Sequence, residues 1–286
     1  MKKALVATGI ILTAVLSLWA FDWPQTEIMA DSFFSYFGQY RGGTISTSLV
    51  FTDSDEIKAA ESGRILALIS EHGEDELFES TLGNAAIIIH KDNLATVYAN
   101  LDSEKHQELF SQTELEKGAA LGNTSNSGWQ KGEACLEFQV LDTKNQNYIN
   151  PRILMPRVGK ELELSIKNVS AVNKKGTEYD LSTQKNLNSG TYLLYKDQEN
   201  IAVPYKTTVF VNGAAAESIA FDTLTAKDGR ICATGKKAYS ASVVYPNSKR
   251  QFLGEVTLPK GKNTVSIVVA DILGKEKQLT YTLEVR

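Results

Sequence analysis

The sequence predicts an all-β protein, because short apolar segments recur along its length and turn-forming residues separate them. The segments are rich in β-branched and aromatic residues, and no long amphipathic helical pattern accompanies them. Turn signals such as Asn212-Gly213 and Leu273-Gly274-Lys275 lie between them. The predicted strands span residues 65–69, 85–89, 95–99, 135–140, 162–166, 207–211, 241–245, 264–270 and 279–285.

Two short helices are the expected exceptions to this pattern. Residues 26–36 precede the first run of strands, and residues 102–112 are polar enough to cover a surface.

The N-terminus has the order of a secretory signal. Lys2 and Lys3 precede an apolar run over residues 4–18, and the small residue Ala20 follows. We therefore expect residues 1–20 to be a signal peptide and the protein to be exported to the periplasm or cell envelope. The alternative is an uncleaved membrane anchor, in which Trp19, Phe21 and Trp23 would lie at the membrane interface. Only in that case is the membrane an expected partner.

The length of the chain indicates two domains after a short linker. About 265 residues follow the signal, which is more than one small core usually organises. Pro151 and Pro156 interrupt strand pairing and favour an extended path between domains. We expect a linker over residues 21–32, a first domain over 33–156 and a second over 157–286, where regular strand spacing favours an Ig-like β-sandwich.

Composition limits the partners and the redox chemistry. The formal net charge is −4 and the charges are mixed along the chain, so nucleic acid is not an expected partner. Cys135 and Cys232 could pair in an oxidising compartment. They fall in different predicted domains, which favours two separate buried thiols.

The strand over residues 135–140 has an unusual polar face. Alternation places Leu136, Phe138 and Val140 on a core face. Cys135, Glu137 and Gln139 lie on the opposite face, which we expect to line a groove.

Seven segments in this part of the chain resemble, in order, the motifs of the M23 (LytM, lysostaphin-type, duplicated hybrid motif) peptidoglycan endopeptidases. Any one of them is a weak signal, but their order over about 120 residues makes the resemblance specific. The resemblance implies an antiparallel M23-like β domain over residues 33–156. The segments are Phe37-Gly38-Gln39-Tyr40-Arg41-Gly42-Gly43, Glu56-Ile57-Lys58-Ala59-Ala60-Glu61-Ser62-Gly63-Arg64-Ile65, Leu82-Gly83-Asn84-Ala85-Ala86-Ile87-Ile88-Ile89-His90, Ala95-Thr96-Val97-Tyr98-Ala99-Asn100-Leu101, Glu116-Lys117-Gly118-Ala119-Ala120-Leu121-Gly122, Ser125-Asn126-Ser127-Gly128 with the strand that follows it, and Ile149-Asn150-Pro151.

The resemblance implies a zinc site whose residues are changed in this chain. In the family, zinc is held by the histidine and aspartate of H-x-G-x-D and by the second histidine of H-x-H. The first histidine of H-x-H and the histidine of Y-x-H-L assist the attacking water. The matching positions here are Ser46, Val50, Asn100, Cys135 and Glu137. A catalytic zinc site needs three protein ligands, and valine supplies none. We therefore expect no catalytic residue, no metal and no cofactor, and a binding groove instead. Its expected members are Tyr40, Arg41, Ser46, Asn100, Cys135, Glu137 and Gln139.

Two enzymatic alternatives stay open at this point. An active zinc endopeptidase with a remodelled site could use Cys135 and Glu137 with Asp53 or Asp55 as a third ligand. A thiol hydrolase could use Cys135 beside Asn100, but this arrangement lacks a neighbouring base.

The three histidines are not expected to supply the missing zinc ligands or the missing base. His90 matches a strand-core position of the family, so we expect a structural role for it, and we expect His72 and His106 to lie in exposed polar segments.

Binding is the function that this sequence favours. The resemblance implies two kinds of partner: a cell-wall hydrolase such as an amidase, which degenerate members of the family activate, or peptidoglycan itself. A buried unpaired Glu137 would be costly, so this residue is expected either to face solvent or to pair with a cation such as Arg41.

Overall fold

The computed structural model describes residues 20–53, 55–71, 80–128, 135–199 and 204–286. Residues 1–19 of the predicted signal peptide, His72 and residues 132–134 lie outside these ranges. Among the described residues, no helix has the length and apolarity that a membrane span requires.

In the residues that the structure describes, the N-terminal unit, which ends near Pro156, consists of short strands with one α-helix and two 3₁₀ turns. The helix α1 spans Ser103–Leu109, and the 3₁₀ turns span Lys91–Asn93 and Pro151–Ile153. Its strands are β1 Phe33–Ser35, β2 Tyr40–Arg41, β3 Thr44–Ile45, β4 Leu49–Phe51, β5 Glu56–Lys58, β6 Gly63–Ile69, β7 Ala85–Ile89, β8 Leu94–Ala99, β9 Glu114–Leu115, β10 Ala120–Asn123, β11 Glu137–Asp142 and β12 Asn147–Ile149.

The C-terminal unit has longer strands and one short helix, α2, over Ala241–Val244. Its strands are β13 Ser170–Asn173, β14 Glu178–Asp180, β15 Asn186–Leu187, β16 Gly190–Asp197, β17 Lys206–Val211, β18 Ala214–Lys227, β19 Arg230–Thr234, β20 Ala238–Ser240, β21 Arg250–Leu258, β22 Gly261–Ala270 and β23 Glu276–Val285.

The architecture is all-β, as predicted, and one sheet runs through both units. In the N-terminal unit, β11, β8, β7 and β6 pair in antiparallel order. β12 then pairs with β18, which joins this sheet to β17, β22 and β23 of the C-terminal unit. A second sheet of β14, β13, β16 and β21 packs against these strands and closes a sandwich around a core that includes Leu194, Val209, Val256 and Ile267.

The larger apolar core also crosses between the units. Tyr98, Phe138 and Val140 of the N-terminal unit belong to the same buried cluster as Phe221 and Tyr245 of the C-terminal unit. The alternation of β11 therefore buries the predicted apolar face. The continuous core and the β12–β18 pairing make the two units one packed body.

Three local predictions need correction. Residues 26–36 form no helix, because Phe33 packs on Trp23 and Phe51 while Phe33–Ser35 pairs with β4. Residues 162–166 are extended without strand pairing, and Leu164 packs instead against Val269. Residues 241–245 begin with α2 rather than forming a strand.

Residues 21–32, predicted as a linker, are part of the folded core. The Phe21 side chain is buried, and its backbone N–H donates to the Leu154 carbonyl at 3.3 Å. The Trp23 indole N–H donates to the Pro156 carbonyl at 2.8 Å. Burial of Phe21 also removes it from the membrane interface that the anchor alternative assigned to it.

Other local predictions agree with the structure. The helix expected over residues 102–112 is α1, and Asp102 caps its N-terminus by accepting from the Lys105 N–H at 2.8 Å. Cys135 and Cys232 are both buried and are not joined to each other.

A hydrogen bond between Tyr245 and Gly38 fixes the junction between the units. The buried Tyr245 hydroxyl donates to the Gly38 carbonyl at 2.6 Å, and burial raises the pKa of this phenol. The Tyr245 ring also packs against Tyr40, with the ring centroids 5.8 Å apart.

We expect Tyr245→Phe to lower the free energy of unfolding by about 1–3 kcal/mol, because the buried Gly38 carbonyl loses its donor. Urea unfolding monitored by circular dichroism measures this change. The matched control is Tyr281→Phe, since the Tyr281 hydroxyl has no hydrogen bond to the described residues. Equal effects from the two variants would show that the Tyr245 bond does not hold the junction.

Candidate functional site

The five family positions meet where β4, β8 and β11 lie side by side. Glu137 in β11 pairs in register with Val50 in β4 on one side and with Ala99 in β8 on the other. Asn100 follows β8, Ser46 follows β3 and Cys135 precedes β11. All five residues are at most 4% exposed. The structure therefore brings the predicted positions together, but inside the protein rather than along an open groove.

A bidentate ion pair lies at the centre of this site. The Arg41 guanidinium donates from Nη1 to Glu137 Oε1 at 2.9 Å and from Nη2 to Glu137 Oε2 at 3.0 Å. The Ser48 hydroxyl donates to the same Oε1 at 2.8 Å. The Glu137 side chain is 6% exposed, so its carboxylate is buried with three donors around it. Of the two expectations for Glu137, the pairing with Arg41 is confirmed.

The hairpin of β2 and β3 delivers Arg41 to this carboxylate. Gly42 and Gly43 form its two-residue turn with φ angles of +56° and +88°, which L-residues with a side chain rarely adopt. At its base the Ser46 N–H donates to the Gln39 carbonyl at 2.7 Å, and the Gly38 N–H donates to the Ser46 carbonyl at 2.8 Å. The turn chemistry of the sequence thus fixes the direction of the guanidinium.

Asn100 has a structural role at this site. Its φ of +69° lies in the left-handed region that asparagine tolerates. Its amide Nδ2 donates to the Cys135 carbonyl at 2.8 Å, and its Oδ1 accepts from the Gly128 N–H at 2.8 Å. Asn100 therefore connects the ends of neighbouring segments with both atoms of its amide.

Tyr40 and Gln139, two further residues of the predicted groove, are less buried than the five family positions. Tyr40 is half-buried and packs on Tyr245, and Gln139 is half-buried opposite Val97 in β8.

Neither of the two described histidines forms a hydrogen bond with the Cys135 thiol. The His90 ring contacts the Ser62 carbonyl at 2.9 Å and the Thr96 hydroxyl at 2.7 Å, which is the structural role that the sequence predicts. His106, predicted to be exposed, is buried on α1 with Nε2 3.4 Å from the Ala85 carbonyl. The position of His106 on the inner face of a packed helix explains this error.

The residues at this site do not fit a zinc ion. Val50 has no donor atom, and both oxygens of Glu137 are bound by Arg41. A zinc ion at Glu137 would have to displace a guanidinium that already neutralises the carboxylate. Within the described ranges, no group of three or more His, Cys, Asp and Glu side chains is placed to hold a metal ion.

Ser48 is the site residue that the sequence analysis missed. Period-two alternation from Ser46 to Val50 places Ser48 on the same face, and this signal could have found it. Its hydroxyl contacts both Arg41 and Glu137, at 2.9 and 2.8 Å.

Comparisons with known proteins agree with this fold. Residues 46–151 match the model of peptidase family M23, and residues 163–286 match a second family model that carries no descriptive name. An uncharacterized protein of Treponema pallidum (strain Nichols) is 33% identical over 136 residues, which cover 43% of this chain and 90% of that protein.

Similar solved structures include M23 proteins. A catalytic-domain mutant of the prophage-encoded M23 protein EnpA from Enterococcus faecalis is 20% identical, with 41% of this chain and 85% of that chain covered and a TM-score of 0.31. A zinc-containing peptidase from Vibrio cholerae is 17% identical, with 43% and 36% covered and a TM-score of 0.33. The SpoIIIAH and SpoIIQ complex contains a chain that is 14% identical, with 47% and 99% covered and a TM-score of 0.35.

Residues 46–151 form a domain of the peptidase family M23 type, and its zinc-ligand positions hold other residues.

We expect Arg41→Met to lower the free energy of unfolding by about 3–5 kcal/mol, because it leaves the buried Glu137 carboxylate without its cation. The double variant Arg41→Met/Glu137→Met should recover most of this loss, since no buried charge is left unpaired. Chemical denaturation of the single and double variants measures both effects.

The exposed pair of Arg250 and Glu178 provides the control. Arg250→Met should cost at most about 1 kcal/mol. A loss of similar size for Arg41→Met would contradict a stabilising role of the buried pair.

We also expect stability to fall with acid in a range set by His90. Burial lowers the pKa of His90, although the Ser62 carbonyl and the Glu61 charge act in the opposite direction. The unfolded chain then binds a proton that the folded protein does not, so the His90 contribution is present above about pH 6.5 and is lost as the pH falls towards the lowered pKa. Thermal denaturation of wild type and His90→Gln between pH 5 and 8 tests this. An identical pH dependence of the two proteins would rule out His90 as the source.

Proposed function

We propose that this protein is an exported M23 pseudoenzyme that acts by binding cell-wall or envelope components. The observation that carries the proposal is the bidentate pair of Arg41 with Glu137 at the family's zinc position. Hydrolysis by this family depends on a cation that polarises the scissile bond and activates water. Here a guanidinium is bound to both oxygens of Glu137, and a guanidinium does not lower the pKa of water as a metal ion does.

The ion pair can stabilise this site as a metal ion would, but it cannot activate water. It connects the β2–β3 hairpin to β11, as a bound ion shared by both segments would. A guanidinium is permanently protonated, so it cannot act as a general base. The remodelled-zinc alternative requires Glu137 as a ligand, and both of its carboxylate oxygens already accept hydrogen bonds from Arg41.

Two partners are consistent with a binding role. Peptidoglycan is the polymer that the resembled family acts on, and a cell-wall hydrolase such as an amidase is the regulatory partner that degenerate members suggest. Because all five family positions are buried, we propose that contact with either partner uses surface outside these positions. Export is supported by Lys2, Lys3 and the apolar run that follows them.

We expect the purified protein to sediment with isolated peptidoglycan sacculi and to release no soluble fragments from them, with or without added zinc. Dye release from labelled sacculi measures hydrolysis, and pelleting measures binding. An amidase added to the same assay reports regulation, through a higher rate in the presence of the protein. Release of fragments that a chelator abolishes would overturn the pseudoenzyme proposal, and absence of both binding and amidase activation would overturn the binding role.

A further inference from the structure

A cleft of about 440 Å³ lies at the junction of the two units, outside the buried ion pair. We refer to it as the junction cleft. Gly43 and Thr44 of the N-terminal unit line one wall, and Gly229, Arg230, Ser240 and Ser242 of the C-terminal unit line the other. Both units are therefore needed to form it.

Two hairpin turns build the opposing walls. Gly43 lies at the turn between β2 and β3, and Gly229 lies at the turn between β18 and β19, with φ angles of +88° and +70°. A Cβ atom at either position would have no other atom within 4 Å, so both turns present bare backbone to open space. The hydrogen bond from Tyr245 to Gly38 connects the two units near these walls.

The lining is mixed: Ile231 and Ala241 are apolar, three residues carry hydroxyls, and Arg230 is the charged member of the lining. Thr44, Ser240 and Ser242 contribute hydroxyls, and the Ser240 and Ser242 oxygens lie 3.1 Å apart. Arg230 is exposed and forms no salt bridge with any described residue. None of the residues lining the cleft is acidic.

Arg230 contributes the main charge of the cleft. Lys227 and Asp228 are neighbours at the same hairpin turn, and their opposite charges sum to zero. Arg41, next to the turn of the opposite hairpin, forms an ion pair with Glu137. An anionic group in the cleft would thus meet one guanidinium with no carboxylate beside it on the lining.

We propose that the junction cleft binds a carboxylate-bearing peptide of the cell wall, with Arg230 on the carboxylate and the hydroxyls and exposed turn backbone on the peptide groups. Arginine suits this role because its planar fork donates two parallel hydrogen bonds to a carboxylate. The cleft is separate from the family's zinc position, which is buried. The proposal rests on the proposed function, since it assumes that the protein binds the cell wall.

The test measures pelleting of the whole protein with intact sacculi, alone and with soluble competitors. The competitors are the peptides and the glycan strands that an amidase releases from the same sacculi. Wild type should bind intact sacculi, and the peptides should compete at least about tenfold more effectively than the glycan strands, because the strands carry lactyl carboxylates but lack the peptide groups. Arg230→Glu should lose a similar factor on intact sacculi through charge reversal.

Two further variants separate the cleft from general charge effects. Lys249→Glu makes the same charge change at an exposed position outside the cleft lining and should change binding less than twofold. Ser242→Trp fills the cleft without altering charge and should weaken binding as Arg230→Glu does. Circular dichroism confirms that each variant is folded.

The outcomes distinguish this proposal from the proposed function. Wild-type binding that Arg230→Glu and Ser242→Trp leave unchanged would overturn the cleft and leave cell-wall binding standing. Equal competition by the released peptides and the glycan strands would overturn the peptide as the ligand. No binding of wild type to intact sacculi would overturn cell-wall binding itself.

Discussion

The buried pair of Arg41 and Glu137 is the interaction on which the rest of the site depends. It fixes the β2–β3 hairpin against β11 and gives both carboxylate oxygens a donor inside the protein. Removing one partner from such a pair costs more than the pair contributes, because a charge is then left without compensation. The same contact occupies the carboxylate that a metal would need. One contact therefore both compensates the buried charge and occupies the oxygens of Glu137.

The second constraint is the continuity of the two units. The β12–β18 pairing and the core shared by Phe138 and Phe221 extend the first sheet into the sandwich. The Tyr245 hydroxyl then connects the C-terminal unit to Gly38, in the segment that precedes the β2–β3 hairpin of Arg41. As a result, the hairpin contacts β11 through the Arg41–Glu137 pair and the second unit through the packing of Tyr40 on Tyr245. The junction cleft lies beside this hairpin, on the surface that both units form.

Local patterns in the sequence were enough to predict the all-β class and several strands, because alternation and turn residues act over a few positions. The same alternation indicated that Leu136, Phe138 and Val140 belong to a core. It could not show that Glu137 on the other face is buried too, since that depends on Arg41, which lies 96 positions away. The errors at residues 26–36 and 241–245 have the same origin. Phe33 and Tyr245 take their conformations from distant aromatic contacts rather than from local propensity.

The central claim is that an internal ion pair has taken the structural place of the metal. The most direct measurement is the zinc content of the purified protein, combined with its denaturation midpoint before and after exhaustive chelation. The account predicts substoichiometric zinc and an unchanged midpoint, because Arg41 already neutralises Glu137. One zinc ion per chain, together with a midpoint that falls on chelation and returns when zinc is restored, would contradict it.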